Sequence, residues 1–322
     1  MKPHRVTVIG LLILGLLPES TVGLTGTPGR WRQAAPAQYK RTEVGVATVR
    51  GQIYVIGGFR RFGVTGIVEV YDPATDRWYT RAPLPVPLHH VGVGVVQDRI
   101  YVIGGFRRVW LNFWHPVNTV YAYDPETDQW HERAPMPTAR GALAVGVVGD
   151  ALYAMGGYDG EGNTPANEVY DPIRNRWDVK RPMPTARDHL AVAAVGGALY
   201  AIGGRLQLAY ARNLAVNEAY DPTTERWTRQ AEMPTPRSGI TAAVLEERIY
   251  VLGGESPQGT FAVNEAYIPV TDTWLTMAPM PTARHGLGSA VVGRQLYVLA
   301  GGPEPGGSFS RRNEVFTPDP AW

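Results

Sequence analysis

The sequence predicts an all-β, six-bladed propeller of four-stranded blades, and three observations lead to this fold. A pair of glycines ends an apolar run six times, at intervals of 47 to 52 residues. An aromatic residue lies 14 to 19 residues after each pair. In five units a tryptophan lies seven residues after this aromatic residue. The two ends of the chain hold complementary parts of one such unit. Repetition with this period is typical of propellers and solenoids. The glycine pairs are Gly57-Gly58, Gly104-Gly105, Gly156-Gly157, Gly203-Gly204, Gly253-Gly254 and Gly301-Gly302.

Each repeat divides into four short strands, called a to d. Strand a is small and apolar, as in residues 142–148, and strand b is an apolar run that ends in the glycine pair, as in residues 151–157. Strand c carries an Asn-Glu-Val-Tyr pattern, and strand d begins at the tryptophan. Because one such sheet cannot cover its own faces, radial stacking of the sheets is expected.

The count of strands indicates how the ring closes. The interval from each tryptophan to the next glycine pair is 26 residues, or 27 in the last unit. Trp31 fits this interval as a strand d that has no strands a to c before it. The last unit, residues 285–317, has strands a to c but no tryptophan at the expected place. The Trp31 strand is therefore expected to complete the last blade, which gives six blades.

The repeat resembles that of the kelch family. It has the glycine pair, then Tyr-Asp-Pro, then tryptophan, with Met-Pro-Thr-Ala-Arg before the next strand a. The resemblance covers residues 24–322 and implies a β-propeller whose commonest role is protein binding. It also implies two enzyme classes to consider. Copper radical oxidases of this family need a tyrosine crosslinked to cysteine, and the chain has no cysteine. Exported kelch propellers that act as sialic-acid mutarotases stay an alternative.

The N-terminus predicts a secretory signal peptide over residues 1–23. Lys2 and Arg5 precede an apolar stretch from Val6 to Leu17, and small residues follow through Gly23. This order of segments is typical of signal peptides, and the apolar stretch is short for a membrane span. The mature propeller of residues 24–322 is thus expected to be secreted or periplasmic, with no stable membrane span after cleavage. An uncleaved anchor is the alternative.

Charge and composition narrow the class of partner. The formal net charge is only +2 and there is no long basic run, so nucleic acid is not an expected partner. The glycine pairs lead into loops rather than helix N-termini, so no nucleotide cofactor is expected. The expected partner is a protein or a carbohydrate, and the chain is expected to be a monomer.

The candidate binding face is the face with the b–c loops and the d–a connections. The interval from glycine pair to aromatic is 14, 19, 14, 17, 14 and 15 residues, so length variation is concentrated in the b–c loops. Loops held by a rigid scaffold commonly carry function. The kelch resemblance implies ligand contacts from the residue after each glycine pair, Pro303 being that residue in the last blade, and from the d–a connections. The ligand-binding residues predicted at the channel mouth are Phe59, Arg60, His89, Phe106, Arg107, Tyr158, Asp188, Arg205, Glu255 and His285.

The longest b–c loop, residues 106–116, contains three further aromatics, Trp110, Phe113 and Trp114. Exposed aromatic surface on this scale favours a role in binding. The loop is expected either to cap the channel or grip a partner, or to fold back over the second blade as a hydrophobic plug.

An arginine before strand a and a glutamate in strand c recur together in five blades. The second blade has Leu88 and Tyr121 in their places, so both charges are lost together. Paired loss is expected for an ion pair, because one partner alone leaves a partly buried charge. The predicted structural pairs are Arg41–Glu69, Arg140–Glu168, Arg187–Glu218, Arg237–Glu265 and Arg284–Glu314.

Catalytic chemistry has a weaker basis in the sequence. Asp188, Arg205, Glu255 and His285 could supply the acid–base groups of a mutarotase, although the same residue types serve in plain binding. His89, His90, His189 and His285 can converge near the channel, but they lack a short ligand spacing, so no metal site is predicted. The expected function is a binding scaffold, with sugar mutarotation as the alternative.

Overall fold

The computed structural model describes residues 28–319, in which every regular element is a β-strand. The first strand is β1 (Arg30–Gln33). Blade I contains β2 (Gly45–Val49), β3 (Gln52–Ile56), β4 (Phe59–Arg60), β5 (Gly63–Val64), β6 (Val68–Asp72) and β7 (Arg77–Arg81). Blade II contains β8 (Gly92–Val96), β9 (Arg99–Ile103), β10 (Phe106–Val109), β11 (Asn112–Pro116), β12 (Val120–Asp124) and β13 (Gln129–Arg133). Blade III contains β14 (Ala144–Val148), β15 (Ala151–Met155), β16 (Asn167–Asp171) and β17 (Arg176–Val179).

Blade IV contains β18 (Ala191–Val195), β19 (Ala198–Ile202), β20 (Arg205–Leu206), β21 (Ala209–Asn213), β22 (Asn217–Asp221) and β23 (Arg226–Arg229). Blade V contains β24 (Thr241–Leu245), β25 (Arg248–Leu252), β26 (Glu255–Ser256), β27 (Gly259–Thr260), β28 (Asn264–Ile268) and β29 (Thr273–Thr276). Blade VI contains β30 (Gly288–Val292), β31 (Gln295–Leu299) and β32 (Asn313–Thr317). No helix in the described range is long and apolar enough to cross a membrane. The predicted signal peptide, residues 1–23, lies outside the described residues.

Six four-stranded antiparallel sheets form the blades, which confirms the predicted fold. Blade VI has the strand order β1-β32-β31-β30, so the N-terminal strand is its outermost strand. Trp31 lies opposite Phe316 in the ladder, and their ring centroids are 5.1 Å apart. The ring is therefore closed by joining the two ends of the chain, as the sequence predicts.

The seven-residue spacing from tyrosine to tryptophan has a direct structural cause. In blades I to V the tryptophan of strand d lies opposite the tyrosine of strand c, with ring centroids 4.8 to 5.1 Å apart. Each indole N–H then donates to a carbonyl in the linker of a neighbouring blade. Trp78, for example, donates to the Ala35 carbonyl at 2.7 Å. The tryptophan thus joins adjacent blades as well as adjacent strands.

The core lies between the blades, in six apolar clusters that each join two neighbours. Strand a of every blade lines a central channel, where neighbouring strands approach closely. A Cβ atom on Gly146 would lie 2.3 Å from Leu199, and one on Gly92 would lie 2.4 Å from Val145. This crowding explains the small residues of strand a.

The glycine pair of blade VI differs from its predicted position. In blade I, Gly57 and Gly58 follow strand b with φ of +62° and +96°. In blade VI the equivalent residues are Ala300 and Gly301, with φ of 56° and 86°. Assigning Gly301-Gly302 as the pair was wrong by one residue, because alanine takes the first left-handed position here. Measured from Ala300, the interval from the preceding tryptophan is 26 residues, as in the other units.

The structure places the five arginine–glutamate pairs in contact, within single blades. Arg187 Nη1 lies 2.6 Å from Glu218 Oε2, and the other four pairs are similarly close. In blades III to VI a threonine hydroxyl of the Pro-Thr segment donates to the other carboxylate oxygen, as Thr185 does to Glu218 at 2.6 Å. In blade II, Leu88 and Tyr121 belong to one apolar cluster instead. The threonine and the arginine of this segment, which are two residues apart, therefore satisfy a buried carboxylate together.

Candidate functional site

The two sets of residues predicted at the channel mouth lie side by side. In each blade one residue of the d–a connection forms a β-bridge with the residue that follows the glycine pair. In blade VI that residue is Gly302, so Pro303 does not take the predicted place. The bridges are Thr42–Phe59, His89–Phe106, Gly141–Tyr158, Asp188–Arg205, Ser238–Glu255 and His285–Gly302.

Most of the predicted mouth residues are buried beneath the b–c loops rather than exposed at an open rim. Phe59, Arg60 and Tyr158 are half-buried, and Arg107 alone of the ten is exposed. The six buried residues are His89, Phe106, Asp188, Arg205, Glu255 and His285. Their burial follows from the b–c segments, four of which form hairpins.

Arg205 is the centre of a buried charged network. Its guanidinium donates to Glu255 Oε1 at 2.7 Å and to Asp188 Oδ1 at 3.3 Å. A third bond joins Nη2 to His189 Nε2 at 2.7 Å, and His189 Nδ1 lies 2.5 Å from Asp188. Burial opposes ionisation of Asp188, but its hydrogen bond and charge interaction with His189, the backbone N–H of Leu208 and the charge of Arg205 together lower its pKa. Asp188, Arg205 and Glu255 therefore satisfy one another.

A second chain of contacts crosses the mouth from the other side. His285 Nδ1 lies 3.1 Å from Glu43 Oε1, and Glu43 Oε2 lies 3.0 Å from His90 Nε2. His90 Nδ1 lies 2.5 Å from His89 Nδ1, and His89 Nε2 lies 2.8 Å from the Phe113 carbonyl. The structure places His89 and His189 beside His90 and links His285 to His90 through Glu43, a residue that the sequence analysis did not single out.

Burial and charge act differently on these histidines. Burial lowers the pKa of His89 to about 4 and that of His90 well below its ordinary value. Burial also opposes protonation of His285, but its hydrogen bond and charge interaction with Glu43 raise the pKa of His285. Burial alone would raise the pKa of Glu43, yet interaction with His90 and His285 holds it low. His89 is therefore neutral at neutral pH.

A closed ring of six backbone hydrogen bonds surrounds the channel at this level. One residue of each blade has positive φ, between 53° and 65°, and its N–H donates to the equivalent carbonyl of a neighbouring blade at 2.7 to 3.2 Å. The six residues are Glu43, His90, Ala142, His189, Gly239 and Gly286. They line a cavity of about 90 Å³. Because sites for drug-sized ligands have about 300 Å³ or more, this cavity suits an ion or a few waters.

The long loop of blade II both plugs the mouth and projects from it. Trp114 packs over Phe106, with centroids 5.2 Å apart, and over His90 at 5.1 Å. Trp110 at the tip is 90% exposed, and neighbouring Leu111 is 86% exposed. Trp114 thus folds back over the second blade and caps the mouth, whereas binding of a partner by the exposed tip stays a prediction.

Two neighbouring hairpins, β4–β5 and β10–β11, form a basic and aromatic surface, here called the basic hairpins (residues 59–64 and 106–116). Both begin with Phe-Arg-Arg, and neither contains a carboxylate. Phe62 at the first tip is 81% exposed. Within residues 28–319, none of the four arginines of these hairpins is in an ion pair; they are Arg60, Arg61, Arg107 and Arg108. Arg108 instead lies over the Phe113 ring at 4.9 Å.

Comparisons with known proteins agree with the repeat. A family model described as the KLHDC2/KLHL20/DRC7 Kelch-repeats domain matches residues 142–319, and a Kelch motif model matches residues 40–85 and 87–137. Kelch-like protein terF of Aspergillus terreus is 30% identical over 181 residues, which are 50% of this chain and 39% of that protein. Kelch-like protein 36 of Bos taurus is 29% identical over 136 residues, which are 40% of this chain and 21% of that protein. The matches thus span less than half of these relatives.

The solved structure of YjhT superimposes on this chain with a TM-score of 0.75. The superposition covers 87% of this chain and 95% of YjhT, at 16% sequence identity. At this identity the likeness shows the fold alone.

Proposed function

This chain belongs to the kelch-repeat family, and we propose that it is an exported binding scaffold that captures an acidic protein segment on its b–c loop face. The observation that carries the proposal is the surface of the basic hairpins. Kelch propellers commonly bind proteins, and the basic hairpins offer exposed arginine and aromatic side chains for such binding. Export is supported by the signal-like sequence of residues 1–23.

The chemistry of the basic hairpins favours an acidic partner with apolar side chains. Arginine binds carboxylates through two parallel hydrogen bonds, and these arginines have no carboxylate of their own chain to satisfy them within the described residues. Exposed tryptophan and arginine are the residue types that dominate the binding energy of protein interfaces. Phe62, Trp110 and Leu111 would anchor the apolar side chains while the arginines pair with the acidic ones.

Charge reversal in the basic hairpins tests this proposal. Binding is measured by fluorescence anisotropy with labelled 12-residue peptides that alternate Glu or Asp with Leu or Phe, selected for affinity to the wild-type chain. The double variant Arg61→Glu/Arg108→Glu is expected to weaken binding at least tenfold, with a weaker salt dependence. Trp110→Ala is expected to weaken it about 30-fold, as expected for an anchor worth 2 kcal/mol.

Arg226→Glu is the matched control, because Arg226 is exposed at the start of strand d in blade IV, away from the basic hairpins. It is expected to leave binding unchanged. If Arg226→Glu weakens peptide binding as much as the hairpin variants do, only net charge matters and the proposed surface is wrong.

Sugar mutarotation is the second candidate, favoured by one observation: Arg205, Glu255 and Asp188 converge in direct contact, with His285 Nδ1 3.6 Å from Glu255. If this candidate is right, the chain accelerates anomer exchange of N-acetylneuraminic acid, followed by NMR exchange spectroscopy. Glu255→Gln would then abolish the acceleration, and Glu304→Gln, an exposed control, would not. Equal exchange rates with and without the chain would eliminate this candidate and leave the scaffold proposal intact.

A further inference from the structure

We infer that the centre of the channel mouth binds one divalent transition-metal ion, with Glu43, His90 and His189 as ligands. The inference rests on these side chains and is independent of the proposed scaffold function. One ligand atom from each residue lies within 4.8 Å of the other two. Two imidazole nitrogens and one carboxylate oxygen are a donor set that holds Zn²⁺ in proteases and Fe²⁺ in oxygenases.

The hydrogen bonds around His90 determine where its lone pair lies. A carbonyl only accepts, so Nε2 is the donor nitrogen of His89, and Nδ1 is the nitrogen left to accept. His90 Nδ1, 2.5 Å away, must then donate to it. His90 Nε2 is therefore the nitrogen that can offer a lone pair to a metal ion, and it lies 3.0 Å from Glu43 Oε2. A proton or a metal ion between these two atoms satisfies both, and a metal ion that binds here displaces the proton.

His189 presents a second nitrogen lone pair to the same place. Its Nδ1 donates to the Asp188 carboxylate at 2.5 Å, which leaves Nε2 as the nitrogen that accepts. Nε2 now accepts a bond from Arg205 Nη2 at 2.7 Å. A bound metal ion replaces this one bond. The guanidinium stays held by Glu255 and Asp188, at 2.7 and 3.3 Å.

Each proposed ligand also has an outer partner that fixes its orientation. Asp188 is hydrogen-bonded to Nδ1 of His189, and His89 to Nδ1 of His90. His285 is hydrogen-bonded to Oε1 of Glu43, the oxygen that does not face His90. Such outer hydrogen bonds are a regular feature of metal sites, because they set the tautomer and the direction of the ligand. The three ligands come from blades I, II and IV.

The three ligand residues have a backbone conformation that costs conformational free energy in any residue but glycine. Glu43, His90 and His189 all have φ near +54°, in the left-handed region, where blades V and VI use Gly239 and Gly286. The ligands are 47 and 99 residues apart along the chain, so no short motif shows in the sequence. The closed ring of backbone hydrogen bonds is what brings them together.

Calorimetric titration with ZnCl₂ tests the site in the chain purified without a histidine tag and treated with chelator. Binding of one Zn²⁺ per chain is expected, together with a rise in the melting temperature. His90→Asn, His189→Asn and Glu43→Gln are each expected to weaken Zn²⁺ binding at least about tenfold. Asparagine is chosen at the histidines because it tolerates the left-handed backbone.

Ala142→Asn is the matched control, since Ala142 occupies the same ring with φ of 54° and offers no ligand. It is expected to bind Zn²⁺ like the wild type. Urea midpoints establish that each variant is folded, and a Co²⁺ absorption spectrum of the wild type reports nitrogen ligation without any substitution. Absence of stoichiometric Zn²⁺ binding by the wild type, or unchanged binding by both folded histidine variants, would overturn the inference.

Discussion

Arg187→Leu is expected to destabilise the propeller by about 3 to 5 kcal/mol, because it leaves the Glu218 carboxylate buried without its cation. Arg187 is fully buried, and its guanidinium also donates to the carbonyls of Thr185, Ala201 and Gly203 at 2.8 to 2.9 Å. Burial lowers the pKa of Arg187 despite the adjacent carboxylate, which reflects how far this pair is removed from water. Urea unfolding monitored by tryptophan fluorescence measures the free energy difference.

Blade II supplies the design of the compensating variant. It holds Leu88 and Tyr121 where the other blades hold arginine and glutamate, and both are buried. The double variant Arg187→Leu/Glu218→Tyr removes the stranded charge and is expected to recover more than half of the loss. The remainder reflects the three carbonyls that lose a donor.

An exposed ion pair is the control for the loss of charge itself. Arg174 Nη1 lies 3.0 Å from Asp171 Oδ2 at the surface, and Arg174→Leu is expected to change stability by less than about 1 kcal/mol. A double variant less stable than Arg187→Leu would show that the arginine acts through its carbonyl contacts and not through Glu218.

The sequence alone predicted the features that depend on periodicity. Strand a to d order, the number of blades and closure by Trp31 all follow from repeated spacings, because each repeat must form the same contacts with its neighbours. The shifted pair in blade VI shows the limit of this reasoning. Ala300 adopts a left-handed φ of 56° that sequence patterns assign to glycine, and a second glycine nearby hides the shift.

The candidate site was predictable only in part, for a related reason. The residues after the glycine pairs are fixed by the repeat, and the structure places them beside the d–a connections. Their burial depends on how the b–c hairpins fold over them, and no repeat specifies that. Glu43 was missed because its equivalents include Ala142 and Gly239, so the ring position has no common residue type. The common feature is a left-handed backbone, which the sequence does not display.

Replacing residues 30–33 by Gly-Ser-Gly-Ser is expected to open the ring and destabilise the propeller by about 4 kcal/mol or more. The replacement removes the ladder to β32 and the packing of Trp31 on Phe316. It also removes the hydrogen bond from the Trp31 indole to the Ala278 carbonyl, at 2.8 Å, which joins blade VI to the linker from blade V. Differential scanning calorimetry measures the loss, and Arg30→Ala, which alters an exposed neighbour in the same strand, is expected to have little effect.

A peptide of residues 28–36 added in trans distinguishes ring closure from a purely local role of β1. The replaced chain exposes the free edge of β32, which can pair with an added strand. The peptide is expected to bind it and to restore much of the melting temperature, whereas the same peptide with Trp31→Ala is not. The wild-type chain, whose β32 edge is already paired, is expected to bind neither peptide. If the replaced chain melts like the wild type, the ring is held by the contacts of strand a around the channel, and the β1 strand is dispensable for closure.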